Sequence, residues 1–274
     1  MYILDLRRRR LFLATVVCLT CTHFVTASDE PTLTKEQIKQ FLLTAKVVKS
    51  EHTKKGITEP WRLTLTDGTL THDASFQAIN EHKPRMQLAS GTTELNFIDS
   101  YKYNIAAYQL AELLGLDDLV PVYVERKWKG DTGSLSWWLP VKMDEVERHK
   151  QKLTPPDSDA WNHQMYRVRV LDQLVYDNDP NLTNVLIGEN WKIWRVDFTR
   201  AFRLSKDLRD PKDVEHCDRQ LLEKLKALDG NELAAKTKDY LTKDEVKAVM
   251  ARRDKIVALL QKLIAEKGES EVLY

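Results

Sequence analysis

Apolar and polar residues alternate along WRLTLT and again along THDASFQ, with Asp67-Gly68 between the two runs. A period of two suits a half-buried strand, and Asp-Gly suits the tight turn joining two of them, so this stretch predicts a β-hairpin. After Asp99 and Ser100 the period lengthens: Ile105, Ala106, Leu110, Leu113 and Leu114 recur at helical spacing, and Gly115 follows where a helix end is commonly capped. LVPVYVERKW and GSLSWWLPV predict two further strands, and Thr34 with Glu36 and Gln37 predicts a short leading helix within 31–55. From Met143 onward helical patterns dominate. KMDEVERHKQKL predicts a charged helix closed by Pro155-Pro156, and Ser158 predicts the cap of a helix to about Tyr176 with Trp161, Met165, Val168, Leu171 and Val175 on one stripe. Thr242 and Glu245 form a capping-box pattern ahead of a helix turning Val246, Val249, Val257 and Leu260 inward. Strands first and helices afterwards predict an α+β fold of two lobes. The smaller, strand-rich lobe with one embedded helix spans 31–140, the larger helical lobe spans 141–274, and a cleft lies between them near Pro140 to Met143.

Candidate chemistry sits just past the helix that ends near Tyr176. Val185 to Ile187 and Trp191 to Val196 predict two short strands around Gly188-Glu189-Asn190. An antiparallel pair with a tight turn brings its far ends together, so Asn184 enters the hairpin on the side where Asp197 leaves it, and Asp179 stands in the loop ahead of the entrance. Three oxygen-bearing side chains in one small volume outline a hard-cation site. Taken singly, each residue reads equally well as turn or cap chemistry.

Composition changes the picture at one place, the N-terminus. Of the 274 residues 42% are hydrophobic and 30% charged, and 42 Lys+Arg against 41 Asp+Glu give a formal net charge of +1. That balance makes no case for a nucleic-acid or membrane-surface partner. Arg7 to Arg10, however, precede the apolar run LFLATVVCLTCTHFVTA, which ends with Val25 and Ala27 flanking Thr26. This is the layout of a secretory signal peptide over 1–27, predicting export to the periplasm or outside the cell with no stable membrane span after processing. An uncleaved anchor is the alternative, against which Thr15, Thr20, Thr22 and His23 make the run short and polar for a span. Removing 1–27 also removes Cys18 and Cys21, and the remaining Cys217 can form neither an intramolecular disulfide nor a zinc site by itself.

The spacing Asp179-x-x-x-x-Asn184, followed by Asp197-Phe198 beyond an intervening hairpin, resembles the catalytic loop and metal-binding Asp-Phe motif of the protein-kinase superfamily. DPNLTN and WKIWRVDFTRAFR are most similar to its atypical branches: HipA-type toxin kinases, phosphatidylinositol kinases and secretory-pathway kinases, and bacterial members above all. The likeness is strongest over 99–204. It implies that Asp179 takes the proton of an attacking hydroxyl, that Asn184 and Asp197 hold Mg2+ against the phosphates of ATP, and that adenine meets backbone near Val141 to Met143. It also implies Gln77 and Asn104 where a kinase carries its phosphate-binding lysine and the partner glutamate, so both charges are missing together. Gly68 is the only glycine of the first predicted hairpin, where a kinase has a glycine-rich loop. Arg200 and Arg203 have two readings, phosphate contact or pairing with nearby carboxylates.

Three functions fit these residues. The first is an exported ATP- and Mg2+-dependent phosphotransferase acting on a hydroxyl of an unspecified acceptor. The second is a pseudokinase that binds nucleotide without turnover, and the third is an unrelated exported α+β protein with a chance motif. Export itself has a direct check: mass spectrometry of the protein from its native host should find a mature N-terminus near Ser28, and an intact Met1 on a cytosolic species would refute it.

Overall fold

Thr34 starts the first helix by a reciprocal cap: its hydroxyl accepts from the Gln37 N–H at 3.2 Å, while the Gln37 side chain accepts from the Thr34 N–H at 2.8 Å. The structure, a computed structural model, describes residues 33–53, 60–87, 91, 93–178 and 181–274. The signal-peptide segment and Asp179 therefore lie outside the described residues. Thr34–Tyr274 forms a unit of its own.

Helix α1 (Lys35–Thr44) leads into strands β1 (Lys46–His52), β2 (Trp61–Thr66) and β3 (Thr71–Gln77). A ribbon of β4 (Asn80–Gln87) and β5 (Thr93–Ser100) precedes helix α2 (Lys102–Leu114), and β6 (Tyr123–Trp128) and β7 (Asp131–Trp137) come next. Five of these strands form one antiparallel sheet in the order β1-β2-β3-β7-β6, while β4 and β5 pair only with each other. Against the sheet lies α2, of which nine residues are buried, including Tyr103, Asn104, Tyr108, Leu110 and Leu114. A helix apolar on nearly every side must be enclosed, and this one is. The predicted cap is present, with Gly115 at φ 64 in the left-handed region.

The chain leaves this sheet after Trp137. At β8 (Val141–Asp144) it joins a second small sheet, ordered β10-β9-β8, with β9 (Val185–Gly188) and β10 (Ile193–Arg195). The rest is helical: α3 (Glu145–Lys150), α4 (Ser158–Val175), α5 (Arg219–Ala227), α6 (Gly230–Lys236), α7 (Lys243–Lys267) and α8 (Glu269–Val272). The expected α+β, two-lobed architecture is the one observed. No helix among the described residues is long and apolar enough to cross a membrane.

Local expectations hold with specific exceptions. The start of KMDEVERHKQKL is strand, because Met143 pairs with Ile187, and the helix begins only after Asp144 caps it through the Glu147 N–H at 2.9 Å. Asp157 caps α4, accepting from the Ala160 N–H at 2.9 Å, so Ser158 is already helical. The hairpin carrying Gly68 is the second in the sheet, since β1 and β2 form an earlier one. The β4–β5 ribbon escapes the pattern rules because its residues are mostly polar on both faces and Pro84 interrupts it.

One buried cation ties the second lobe together. Arg195, 1% exposed, donates through Nε to Asp172 of α4 at 3.0 Å and through Nη2 to the fully buried Asp177 at 2.5 Å, and Nη1 bonds the Val196 carbonyl. Its guanidinium also lies 5.0 Å from the Phe198 ring. Burial pushes the Asp172 carboxyl up to about 6, an effect that Arg195 opposes and Asp177 reinforces. Replacing Arg195 by Leu removes the guanidinium shared by the buried Asp177 and the half-buried Asp172. The expected cost is about 3–5 kcal/mol by denaturant unfolding, and a loss below 1 kcal/mol would show that the network is not structural.

Candidate active site

A cavity of about 450 Å³ opens between the lobes. Its upper wall comes from Ser75 and Gln77 of β3, Tyr123 of β6 and Ser136 and Trp137 of β7, its side from Trp138, Leu139 and Val141, and its floor from Thr183, Asn184, Leu186, Val196 and Asp197. Thr53 and Pro60 reach its lip from the two ends of the β1–β2 connection, where the Thr53 N–H bonds the Pro60 carbonyl at 3.0 Å. The hairpin facing the cavity is therefore this one and not the Gly68 turn. The intervening Lys54-Lys55-Gly56 lies outside the described residues.

The floor forms as the sequence pattern requires. Arg195 pairs with Val185 across β9 and β10, and beyond that register the Val196 N–H bonds the Asn184 carbonyl at 3.0 Å. Asn184 and Asp197 thus share one end of the hairpin and one cavity. The approach to Asn184 is a single 3-10 turn, Leu182–Asn184, capped by Asn181 through the Thr183 N–H at 3.0 Å. Asp197 itself has φ 61, a left-handed conformation that costs a non-glycine residue about 1–3 kcal/mol. The next residue is held in turn: the Asn104 side-chain oxygen accepts from the Phe198 N–H at 2.7 Å.

Gln77 and Asn104 do meet. The Asn104 amide donates to the Gln77 side-chain oxygen at 2.8 Å and to the Ser134 hydroxyl at 3.2 Å. Asn104 is fully buried, whereas Gln77 reaches the cavity. One neutral side chain therefore ties α2 to β3, to β7 and to the residue after Asp197. The close packing of β3 on β7 depends on Gly133, where any Cβ would stand 2.3 Å from the Gln77 carbonyl oxygen.

Among the described residues that line the cavity, Asp197 carries the one formal charge. Burial raises the Asp197 carboxyl above its ordinary range, opposed by the Thr199 hydroxyl and by Arg195, and reinforced by Asp99 and Asp177. Asp99 is raised too, first by burial, and its Oδ1 has no hydrogen-bond partner. Among the described residues no group of three or more His, Cys, Asp or Glu could hold a metal ion. Asp197 and Asn184 supply hard oxygen donors in the chemistry a divalent cation prefers, and a cation there would relieve the crowding of carboxylates.

Other sequence-derived candidates fall elsewhere. Val141 lines the cavity, but its N–H is taken by the Leu139 carbonyl at 2.9 Å, and Met143 is buried in the core as a β8 ladder residue. The wall includes Val141 and also takes in Trp138 and Leu139 just ahead of it. Trp137 and Trp138 are cavity residues as well as packing residues: Trp137 stacks on His72 at 3.5 Å, and Arg62 covers the Trp138 ring at 4.5 Å. Arg200 and Arg203 follow the carboxylate reading, both pairing with Glu94. Tyr123, Ser134, Asp99 and Glu94 were not singled out from the sequence; Tyr123 and Ser134 lie inside predicted strands, where alternation shows a face but not a hydroxyl's target.

No protein-family model matches the chain, and no curated protein matches it by sequence. Solved structures do match in shape. A Fam20 protein from hydra, determined with sugar, superimposes with a TM-score of 0.60 at 16% identity over 87% of this chain and 91% of that one. The Golgi casein kinase with Mn/ADP bound gives 0.59 at 12% over 87% and 78%. The Helicobacter pylori proinflammatory kinase CtkA gives 0.50 at 12% over 82% and 98%. The chain has the fold of the atypical protein-kinase-like superfamily.

The neutral bridge can be tested by stability alone. Asn104→Leu removes the acceptor of the buried Phe198 N–H, at about 1–3 kcal/mol, and breaks the bond to Gln77. Gln77→Lys should cost several kcal/mol because it sets an ammonium against a neutral amide, roughly the scale of an unpaired buried charge. Adding Asn104→Glu should recover part of that loss, so the double-mutant cycle is non-additive. Additive costs would show that the two positions are not coupled.

Proposed function

We propose that this protein is an exported phosphotransferase that moves the γ-phosphoryl group of ATP, with Mg2+, to a hydroxyl of an acceptor. The observation carrying the proposal is the convergence of Asn184 and Asp197 on the floor of one interlobe cavity, opposite Gln77 and its partner Asn104, within a kinase-like fold. The Golgi casein kinase neighbour was determined with Mn/ADP, which supports nucleotide and divalent metal as the ligand class. The basic and apolar residues of 1–27 support export.

In this reading Asp197 and Asn184 would hold the metal, which neutralises charge developing on the phosphates. Asp179, by its spacing from Asn184, would accept the acceptor's proton as the new O–P bond forms and the bond to the β,γ-bridging oxygen breaks, leaving ADP. Tyr123 lines the same cavity as Asp197. Its phenol is raised by burial and then by the Asp197 charge, and so stays protonated. The wall of Trp137, Trp138 and Leu139 offers a flat apolar face for a base.

The second reading, a pseudokinase, is favoured by one observation: the bridge at the usual phosphate-binding position is neutral on both sides. Nucleotide binding with and without Mg2+, combined with turnover, separates the two. Under the proposal, chelation abolishes ATP binding and Asp197→Asn weakens it, while Asp179→Asn leaves binding intact and lowers turnover by about a hundred- to ten-thousand-fold. Metal-dependent binding without turnover on any acceptor would favour the pseudokinase. Equal thermal destabilisation by both variants, with no effect of nucleotide, would refute both readings.

A further inference from the structure

The β4–β5 ribbon sits between β3 and α2 in the chain and belongs to neither sheet. Much of it is exposed, yet one acidic side chain is not. Glu94 of β5 is 13% exposed; it accepts from Asn178 Nδ2 at 3.1 Å and Arg200 Nη2 at 2.5 Å, and it is ion-paired with Arg203 Nη2 at 2.8 Å. Asn178 immediately precedes Asp179, and the two arginines follow Asp197 by three and six residues. The same seam carries the Ser100 N–H on the Thr199 carbonyl at 2.9 Å, Arg203 Nη2 on the Ile98 carbonyl at 3.0 Å, and the Arg200 guanidinium 5.1 Å from the Phe97 ring.

We infer that Glu94 is a positioning residue for the site: from an inserted ribbon it clamps together the two stretches that carry Asp179 and Asp197. The physical case is one of convergence. Charge-assisted bonds among largely buried groups are the strong ones, and here a single carboxylate receives two guanidinium groups and an amide. Without it, Arg200 and Arg203 would repel each other, and Arg203 already has Nε and Nη1 buried with no partner. Residues 199–203 would then lose their charged hold on the ribbon, keeping the Ser100–Thr199 and Arg203–Ile98 bonds, and the segment that follows Asp197 would be less firmly placed. Glu94 does not line the cavity, so its effect is exerted through these neighbours. Its consequence for the reaction rests on the phosphotransferase reading.

The test compares Glu94→Gln and Glu94→Asp with Glu81→Gln, a control at an exposed ribbon position whose side chain bonds Lys83. Two quantities are read on the full mature chain: hydrogen exchange of the amides in 197–204, and ATP affinity as a function of Mg2+. Glu94→Gln should speed exchange in that segment by about tenfold, the scale of one lost hydrogen bond to a charged group. It should also weaken Mg2+-dependent ATP binding by a similar factor, with Glu94→Asp intermediate in both and Glu81→Gln unchanged in both. If Glu94→Gln fails to fold, Glu94→Asp carries the same comparison. Unchanged exchange in the folded Glu94 variants overturns the clamp. Faster exchange with unchanged ATP affinity, in a protein whose wild type binds Mg2+ and ATP, overturns the positioning role alone. A wild type that binds no ATP with Mg2+ refutes the phosphotransferase reading, and the positioning role with it.

Discussion

A buried guanidinium needs its charge and its donors matched, and Arg195 meets that requirement by gathering groups distant in the sequence. Asp172 comes from α4, Asp177 from just beyond its end, and the Val196 carbonyl from the link to Asp197. Holding these three fixes the distance between the end of α4 and the end of β10, whose neighbours Asn184, Val196 and Asp197 floor the cavity. Such a network carries a large desolvation cost and offers less net stability than its geometry suggests. What it secures is registry. The Asn184 carbonyl can reach the Val196 N–H only when β9 and β10 pair in the observed alignment.

The parts of this arrangement that were legible in the sequence are those governed by local periodicity. The α4 stripe, the capping box at Thr242, the Gly115 cap and the β9–β10 hairpin all arise from spacing, and the hairpin alone is enough to bring Asn184 and Asp197 together. What escaped is set by long-range partners. Nothing around Lys46 marks it as the start of an edge strand, because that strand is mostly exposed and its residues are mixed. Glu94 is an acidic residue in a polar stretch until Arg200 and Arg203, more than a hundred residues later, fold back onto it. Met143 sits at the predicted lobe junction, where the ladder to Ile187 buries it, while Trp138, Leu139 and Val141 line the cavity.

The Gln77–Asn104 bridge shows how a pair of charges can be lost without losing the connection between elements. An amide has both a donor end and an acceptor end, so Asn104 can bond Gln77 and Ser134 with one and the Phe198 N–H with the other. A carboxylate at that position could serve only the acceptor role. The mechanical link between α2 and the Asp-Phe segment is thus made in neutral form.

Helix α2 has a bearing on timing. Its buried face includes Ile105, Tyr108, Leu110 and Leu114, and the helix packs between the main sheet and the helical lobe. Swinging it outward would expose those side chains at a cost on the order of 10 kcal/mol, counting about 1.5–3 kcal/mol for each large apolar residue. A displaced state so high in energy would be too rare for a ligand to select. Asn104 therefore stands in place before anything enters the cavity. An incoming molecule meets a lock already set, and any control over its use has to act on the loops around the mouth or on the supply of ligand.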